Sequence, residues 1–442
     1  MLNSINRAYL IIALFLYIML AFKITTPYLI LGSFALISVI SYFLILYINS
    51  NLKYKDYNSL FLAIEVVLYS LFFVALENII SFYYTGNFFL FSTSDALTYH
   101  NAVIKMLDMP FLDAIKYYLN NRGIDDLGMV LLLYPLYTVF ESNLILNAFY
   151  IFVSLITALT LFSIGKNFIS KKYAFVSSLA YTLSSFVLFY NATGLKESFM
   201  VMIILLSFNY LYLFIKNRNI IVFFLAIFFL SILILFRPAL IVLILISFGI
   251  GLMLTSRMGI VTKLFSIMIL LMLFIFQNII IDIFNSYTGG GVEAIIKARE
   301  IKGGVFFTYI VNIISQAIGP LPTLLSSSKI LTLFYAPGLI YRVLLAIPFW
   351  FGVYYIFRLK KYELYPFFIF VALEMSFMTF ILYGLELRVA MPHLPFIFLI
   401  AFWFIDKFDN KEVVTKNRDT FVDLFYLGLV ILAILMAYWN FR

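Results

Sequence analysis

Composition separates this chain from soluble proteins. Of its 442 residues, 64% are hydrophobic and 12% are charged, and the mean hydropathy is +1.07. A soluble domain carries about 25% charged residues and is about half apolar, so a soluble globular fold is excluded. The net charge of +9 fits the basic inner loops of a membrane protein better than nucleic-acid binding. Because the chain has no cysteine, disulfides and thiolate metal sites are excluded as well.

The apolar residues fall in continuous blocks long enough for helices that cross a bilayer. We therefore predict an all-α polytopic membrane protein with about 11 to 13 transmembrane helices. In chain order the predicted spans are Tyr9–Phe22, Pro27–Tyr47, Ser59–Tyr83, Asn143–Ile164, Tyr173–Tyr190, Phe199–Ile215, Ile220–Phe236, Ala239–Thr255, Ile260–Phe284, Pro337–Phe357, Tyr365–Gly384, Val389–Ile405 and Phe421–Trp439. Two shorter segments, Leu127–Phe140 and Phe306–Leu325, are predicted to be re-entrant or interfacial.

Charge in the connecting loops predicts the orientation. With a cytoplasmic N-terminus, every short inner loop is basic, whereas the short outer loops carry only isolated cations. The inner cations are Lys53, Lys55, Lys166, Lys171, Lys172, Lys216, Arg218, Arg257, Lys263, Arg358, Lys360, Lys361, Lys407, Lys411, Lys416 and Arg418. We expect one multi-pass domain over residues 1–442 in the plasma (inner) membrane, with two N-terminal helices in 1–57 and long outer segments at 84–141 and 285–336. No signal-peptide cleavage pattern is evident, so the first span is predicted to be a signal anchor.

The first outer segment contains the carboxylate of greatest interest, Asp95, within the stretch Ser94–His100. From Ile104 to Tyr118, apolar residues recur at three- and four-residue spacing, which predicts interfacial amphipathic helices with a bend near Pro110. Asp95 is then expected at the water–lipid border, where it could act on a substrate with a lipid tail and a polar head. The alternatives are a helix cap for Asp95 and an ordinary interfacial histidine for His100.

Further charged residues follow at the same predicted outer face. They are Lys196, Glu197, Arg237, Glu386, Arg388 and His393. A single cation at a helix end is usually a membrane anchor. This group, however, lies opposite to the side where positive charge should accumulate, which favours a binding site. Glu65, Glu77 and Glu374 are predicted to lie deeper, either paired with a cation or lining a cavity.

Three stretches resemble the GT-C superfamily of membrane glycosyltransferases, especially the bacterial protein O-mannosyltransferase-like proteins of glycosyltransferase family 39. Ser94–His100 is similar to the acidic motif of their first outer loop. Phe140–Ser198 resembles their helix, basic turn, helix and second polar motif, and Gly384–Pro395 resembles a C-terminal arginine motif. The chain departs from the family in two respects. Its acidic motif follows the third predicted span rather than the first, and the usual Asp-Glu doublet is a lone Asp95.

The resemblance implies transfer of a sugar from a polyprenyl-phosphate-linked donor to a glycan, lipid or protein acceptor at the outer face, generally with inversion. It implies Asp95 as the general base toward the acceptor hydroxyl. The departing lipid phosphate needs cations, for which Lys196, Arg237 and Arg388 are the candidates. The other candidates for substrate binding are Tyr99, His100, Glu197, Glu386 and His393. Membrane lipids are expected as partners, and nucleic acids are not.

Two other functions stay open on the sequence. An O-antigen or capsule repeat-unit polymerase would use outer arginines, here Arg299 and Arg388, to hold two lipid-linked chains. A transporter or lipid-linked oligosaccharide flippase is less favoured, because no internal repeat is found and the charges gather at one face rather than at the midplane. No nucleotide-binding motif is present. The sequence indicates no certain cofactor. Asp95, Glu197 and His100 are possible ligands of a divalent metal, but no metal-binding spacing supports such a site.

Overall fold

The computed structural model of the chain describes residues 1–21, 29–52, 57–86, 95–122, 127–140, 142–254, 304–324, 332–380, 387–414 and 418–441, with a few isolated positions between 263 and 300. Within these ranges the regular structure is helical, because a helix satisfies its own backbone hydrogen bonds inside lipid. The helices are α1 (Leu2–Ala21), α2 (Leu29–Asn51), α3 (Ser59–Thr85), α4 (Asp95–Met106), α5 (Phe111–Arg122), α6 (Leu127–Val139), α7 (Asn143–Gly165), α8 (Lys171–Thr182), α9 (Ser185–Ala192), α10 (Lys196–Asn217), α11 (Ile220–Ile232), α12 (Pro238–Met253), α13 (Val305–Ile318), α14 (Thr332–Leu344), α15 (Ala346–Arg358), α16 (Tyr365–Phe380), α17 (Leu394–Asp409) and α18 (Arg418–Phe441).

The described helices confirm the predicted all-α polytopic membrane fold. Eight of the described segments are long and apolar enough to cross a membrane, or nine if the bent pair of α8 and α9 forms one span. Four shorter apolar helices, α6, α11, α12 and α13, accompany them. The predicted span Ile260–Phe284 falls largely outside the described residues.

The segment predicted as one span, Tyr173–Tyr190, is two helices. α8 and α9 meet at an angle of 48°. The break needs neither proline nor glycine, because a neighbouring helix supports it. The backbone N–H of Gly338 in α14 donates to the hydroxyl of Ser185, at 2.8 Å, at the first position of α9. A contact from elsewhere in the chain therefore holds the bend.

The first outer segment contains the predicted pair of short helices. α4 ends at Met106 and α5 begins at Phe111, so the chain bends at the Met109-Pro110 step, as the sequence indicates. Along α4, Ala96, Tyr99 and Val103 are buried at helical spacing. The opposite faces carry exposed residues, which makes the pair amphipathic.

Helix α17 lies at the centre of the bundle and is almost wholly buried. α15 runs parallel to it, with Gly352 against the Ile400 carbonyl and the Tyr355 ring near Phe404. A Cβ atom at Gly352 would stand 2.8 Å from that carbonyl oxygen, so only glycine allows this approach.

The two ends of α17 carry different chemistry. At its C-terminal end, Asp409 pairs with the chain's amino terminus at 3.0 Å, and Asp406 accepts hydrogen bonds from Ser170. At its N-terminal end, a short 3-10 helix, Leu387–His393, carries Arg388. The sixteen residues of α17 separate these ends by ~24 Å. The predicted site residues Asp95 and Arg388 lie at the N-terminal end of α17.

Candidate functional site

The site centres on an ion pair between Asp95 and Arg388. Asp95 is the first residue of α4, and Arg388 lies on the 3-10 helix that leads into α17. The guanidinium Nη1 donates to the carboxylate Oδ2, although the two residues are 293 positions apart. Their side chains are 35% and 32% exposed, respectively. The pair is thus held by the fold and is still open to a ligand.

Tyr99 lies one turn after Asp95 on α4 and is 3% exposed. Burial raises the pKa of Tyr99 well above its ordinary value, and the carboxylates of Asp95 and Glu197 raise it further, whereas Arg388 lowers it. The phenol therefore keeps its proton and can serve as a hydrogen-bond donor. Tyr99 thus lies within electrostatic range of both Asp95 and Glu197.

The hairpin before α10 positions Lys196 and Glu197. Gly194 has φ +70°, a left-handed conformation that favours glycine, and a Cβ atom there would stand 2.6 Å from Leu146. The Tyr150 hydroxyl donates to the Leu195 carbonyl at 2.7 Å. These contacts fix the first turn of α10, which buries Lys196 at 9% exposure and Glu197 at 1%.

Glu197 faces Arg237, the residue that precedes α12. The distance from Arg237 Nη2 to Glu197 Oε1 is 4.0 Å, within ion-pair range but longer than a hydrogen bond. Glu374 of α16, which is also buried, lies within electrostatic range of Arg237. Three segments thus bring the Arg237 guanidinium close to two acidic side chains, Glu197 and Glu374.

The two predicted histidines have other neighbours. His100 shares a hydrogen bond with Tyr137 of α6, with 2.9 Å from Nδ1 to the hydroxyl. His393 is buried beside Arg342 of α14, and both line a small cavity with Ser315 and Gln316. The neighbours described for the two histidines are therefore Tyr137 for His100 and the cavity beside Arg342 for His393.

Sequence reasoning missed Arg342. Its guanidinium donates to the Ile318 and Gln316 carbonyls at the end of α13, at 3.2 Å and 3.3 Å. No described carboxylate forms an ion pair with it. The available signal was a lone arginine inside a predicted span, which is expensive in lipid.

The deeper glutamates differ in their partners. Glu65 accepts two hydrogen bonds from Asn49, at 2.8 Å and 3.1 Å. Glu77 is fully buried, and neither of its carboxylate oxygens has a partner among the described residues. Among these three glutamates, and within the described part of the chain, only Glu374 has an electrostatic interaction with a cation of the site, Arg237.

Glu386 and Arg299 lie outside the described residues. Within the described ranges, no three His, Asp or Glu side chains converge to hold a metal ion. The candidate divalent site on Asp95, Glu197 and His100 is therefore not assembled there.

Comparison with known proteins gives no family for this chain. No protein-family model matches it, and no curated protein matches it.

Proposed function

We propose that this chain is a membrane glycosyltransferase that moves a sugar from a polyprenyl-phosphate-linked donor to an acceptor hydroxyl at the extracytoplasmic face. The observation that supports it best is the open Asp95–Arg388 ion pair at one end of a polytopic helical bundle. A carboxylate supplies a base for the acceptor, and a guanidinium supplies a bidentate contact for the phosphate of the leaving group. A site at the ends of membrane-spanning helices suits a substrate whose long tail stays in the lipid while its polar head reaches the site.

In the proposed reaction, the acceptor oxygen attacks the anomeric carbon while Asp95 accepts the hydroxyl proton. The bond from the anomeric carbon to the phosphate oxygen breaks on the opposite face, so the sugar configuration inverts. Polyprenyl phosphate leaves with one further negative charge. Arg388 stabilises that charge, and Lys196, buried at the start of α10, is the second candidate for this role.

The ion pair also suggests how donor binding prepares the base. Without a donor, Arg388 neutralises Asp95. A donor phosphate competes for the same guanidinium with more than one acceptor oxygen. Binding then draws Arg388 away and leaves the Asp95 carboxylate ready to accept a proton. The one-third exposure of both side chains leaves room for this exchange.

The test compares wild type with Asp95→Asn in liposomes, using radiolabelled polyprenyl-phosphate sugars. We expect a loss of at least about a hundredfold in turnover with donor binding retained. Asp113→Asn is the matched control, because Asp113 lies on α5 and is 60% exposed next to Lys116. Equal turnover of Asp95→Asn and wild type would remove Asp95 from the chemistry.

A repeat-unit polymerase is the second candidate, and one observation favours it. A polymerase needs two phosphate sites, and a further buried arginine, Arg342, lies beside His393 at the same end of α17. Arg342 also has an ordinary structural role, since it binds the last carbonyls of α13. The same liposome assay with lipid-linked oligosaccharides distinguishes the two, because only a polymerase lengthens them.

A further inference from the structure

Beside the Asp95–Arg388 pair lies a second group of charges, Glu197, Arg237 and Glu374, which we call the Arg237 cluster. Its members come from the first turn of α10, the residue before α12 and the interior of α16. Glu197 and Glu374 are each 1% exposed, and the Arg237 side chain is 13% exposed. Charges so thoroughly buried in a membrane protein are costly unless they have a use.

The cluster is incompletely satisfied. Arg237 and Glu197 approach to 4.0 Å, too far for a good hydrogen bond. Glu197 Oε2, Arg237 Nη1 and Glu374 Oε2 are buried, and none has a hydrogen-bond partner among the described residues. Buried polar atoms normally find partners. One donor atom and two acceptor atoms left open in the same cluster point to a polar ligand between them.

The charge of the cluster restricts that ligand. Two acidic side chains lie near one guanidinium, and the Glu197 carboxylate would repel a phosphate bound between them. A polyol meets no such repulsion, because each hydroxyl both donates and accepts. The carboxylates can each accept from a sugar hydroxyl while Arg237 donates to a neighbouring oxygen. Carbohydrate therefore fits this cluster better than phosphate does.

The position of the cluster fits the same ligand. The 3-10 helix that carries Arg388 packs against both α10 and α16, the helices of Glu197 and Glu374. The two charged groups are therefore neighbours, and Tyr99 lies within electrostatic range of Asp95, Arg388 and Glu197. A sugar bound at the cluster would have its phosphate end close to Arg388.

We propose that Glu197, Arg237 and Glu374 form the subsite that recognises the hydroxyl groups of the transferred sugar, while Arg388 holds the phosphate. This assignment rests on the proposed glycosyl transfer. It gives Arg237 a different task from the phosphate contact that the sequence suggests, and it adds Glu374 to the site. A site built to hydrogen-bond a hydroxyl discriminates strongly against ligands that lack it.

The experiment separates the sugar from the phosphate by using sugar-free polyprenyl phosphate as one probe. Wild type, Glu374→Gln and Arg388→Gln are purified in lipid nanodiscs. Binding of polyprenyl phosphate is titrated, and kcat/KM is measured for polyprenyl-phosphate hexoses that differ at one hydroxyl. Glu374→Gln should keep polyprenyl phosphate affinity within about 3-fold and change the ratio of kcat/KM between epimers by at least about 10-fold. Arg388→Gln should weaken polyprenyl phosphate binding by at least about 10-fold.

The results that would contradict the sugar subsite differ from those that would contradict the proposed function. If Glu374→Gln weakens polyprenyl phosphate as much as it weakens the sugar donor, or leaves the epimer ratio unchanged, the sugar assignment is wrong. If Glu374→Gln does not fold, Arg237→Lys is used in its place. This substitution keeps the positive charge but removes the planar guanidinium and its fixed set of hydrogen-bond donors. The same expectations and contrary results apply to it. A wild type that neither binds polyprenyl phosphate nor transfers any sugar would overturn the proposed function itself.

Discussion

At Tyr99, burial and two nearby carboxylates act on the phenol in the same direction. They raise the pKa of Tyr99 above its ordinary value of 10, so the group stays protonated at every pH below that value. We predict that Tyr99→Phe lowers kcat/KM by about 5- to 10-fold, the effect of one lost hydrogen bond. The shape of the pH profile between about pH 6 and 9 should stay the same. A basic limb present in wild type and lost in the variant would show that the phenol titrates.

The sequence could predict the members of the site better than their partners. Asp95, Lys196, Glu197 and Arg388 stand out because they gather at the predicted outer face, opposite to the side where positive charge should accumulate. Nothing in the sequence joins Asp95 to Arg388, since that contact depends on how α4 packs against the start of α17. The association of Glu374 with Arg237 likewise depends on how the helices pack, so nothing in the sequence joins these two residues either.

Helices α9 and α14 approach so closely that only glycine fits at position 338. A Cβ atom there would stand 2.2 Å from Ser184 Oγ and 2.7 Å from the Phe186 nitrogen. We predict that Gly338→Ala destabilises the fold by about 1–3 kcal/mol, the usual cost of overpacking. The measurement is the thermal unfolding midpoint in detergent. Ser376→Ala is the control, because Ser376 is exposed on α16 and bonds within its own helix. Equal midpoints for Gly338→Ala and the control would contradict the prediction.

The helices could be predicted from the sequence wherever the lipid environment alone requires helical structure. Apolar blocks predict helices, because the backbone must satisfy itself in the bilayer. The bend between α4 and α5 was visible in Met109-Pro110. Pro337, in contrast, predicts a helix start, yet it lies inside α14, which begins at Thr332. The break between α8 and α9 carries no local signal, because its support comes from Gly338.

On the scale of the whole molecule, the two ends of the bundle are chemically different. α15 and α17 run in parallel, so Arg358 and Lys361 lie at the same end as Asp409. That end carries cations predicted to be cytoplasmic, whereas Asp95 and Arg388 lie at the opposite end of α17. From the positive-inside rule we predict an orientation with the candidate site outward.

This orientation can be tested with single cysteines, because the chain has none of its own. Lys105 on α4 and Lys361 before α16 are both exposed lysines, one at each end. We predict that a membrane-impermeant maleimide labels Lys105→Cys on intact cells. Lys361→Cys should be labelled only after permeabilisation, since basic loops stay inside. The reverse pattern would place Asp95 in the cytoplasm and contradict transfer at the outer face. Both variants must also label fully in detergent, so that a difference reports the side of the membrane rather than burial.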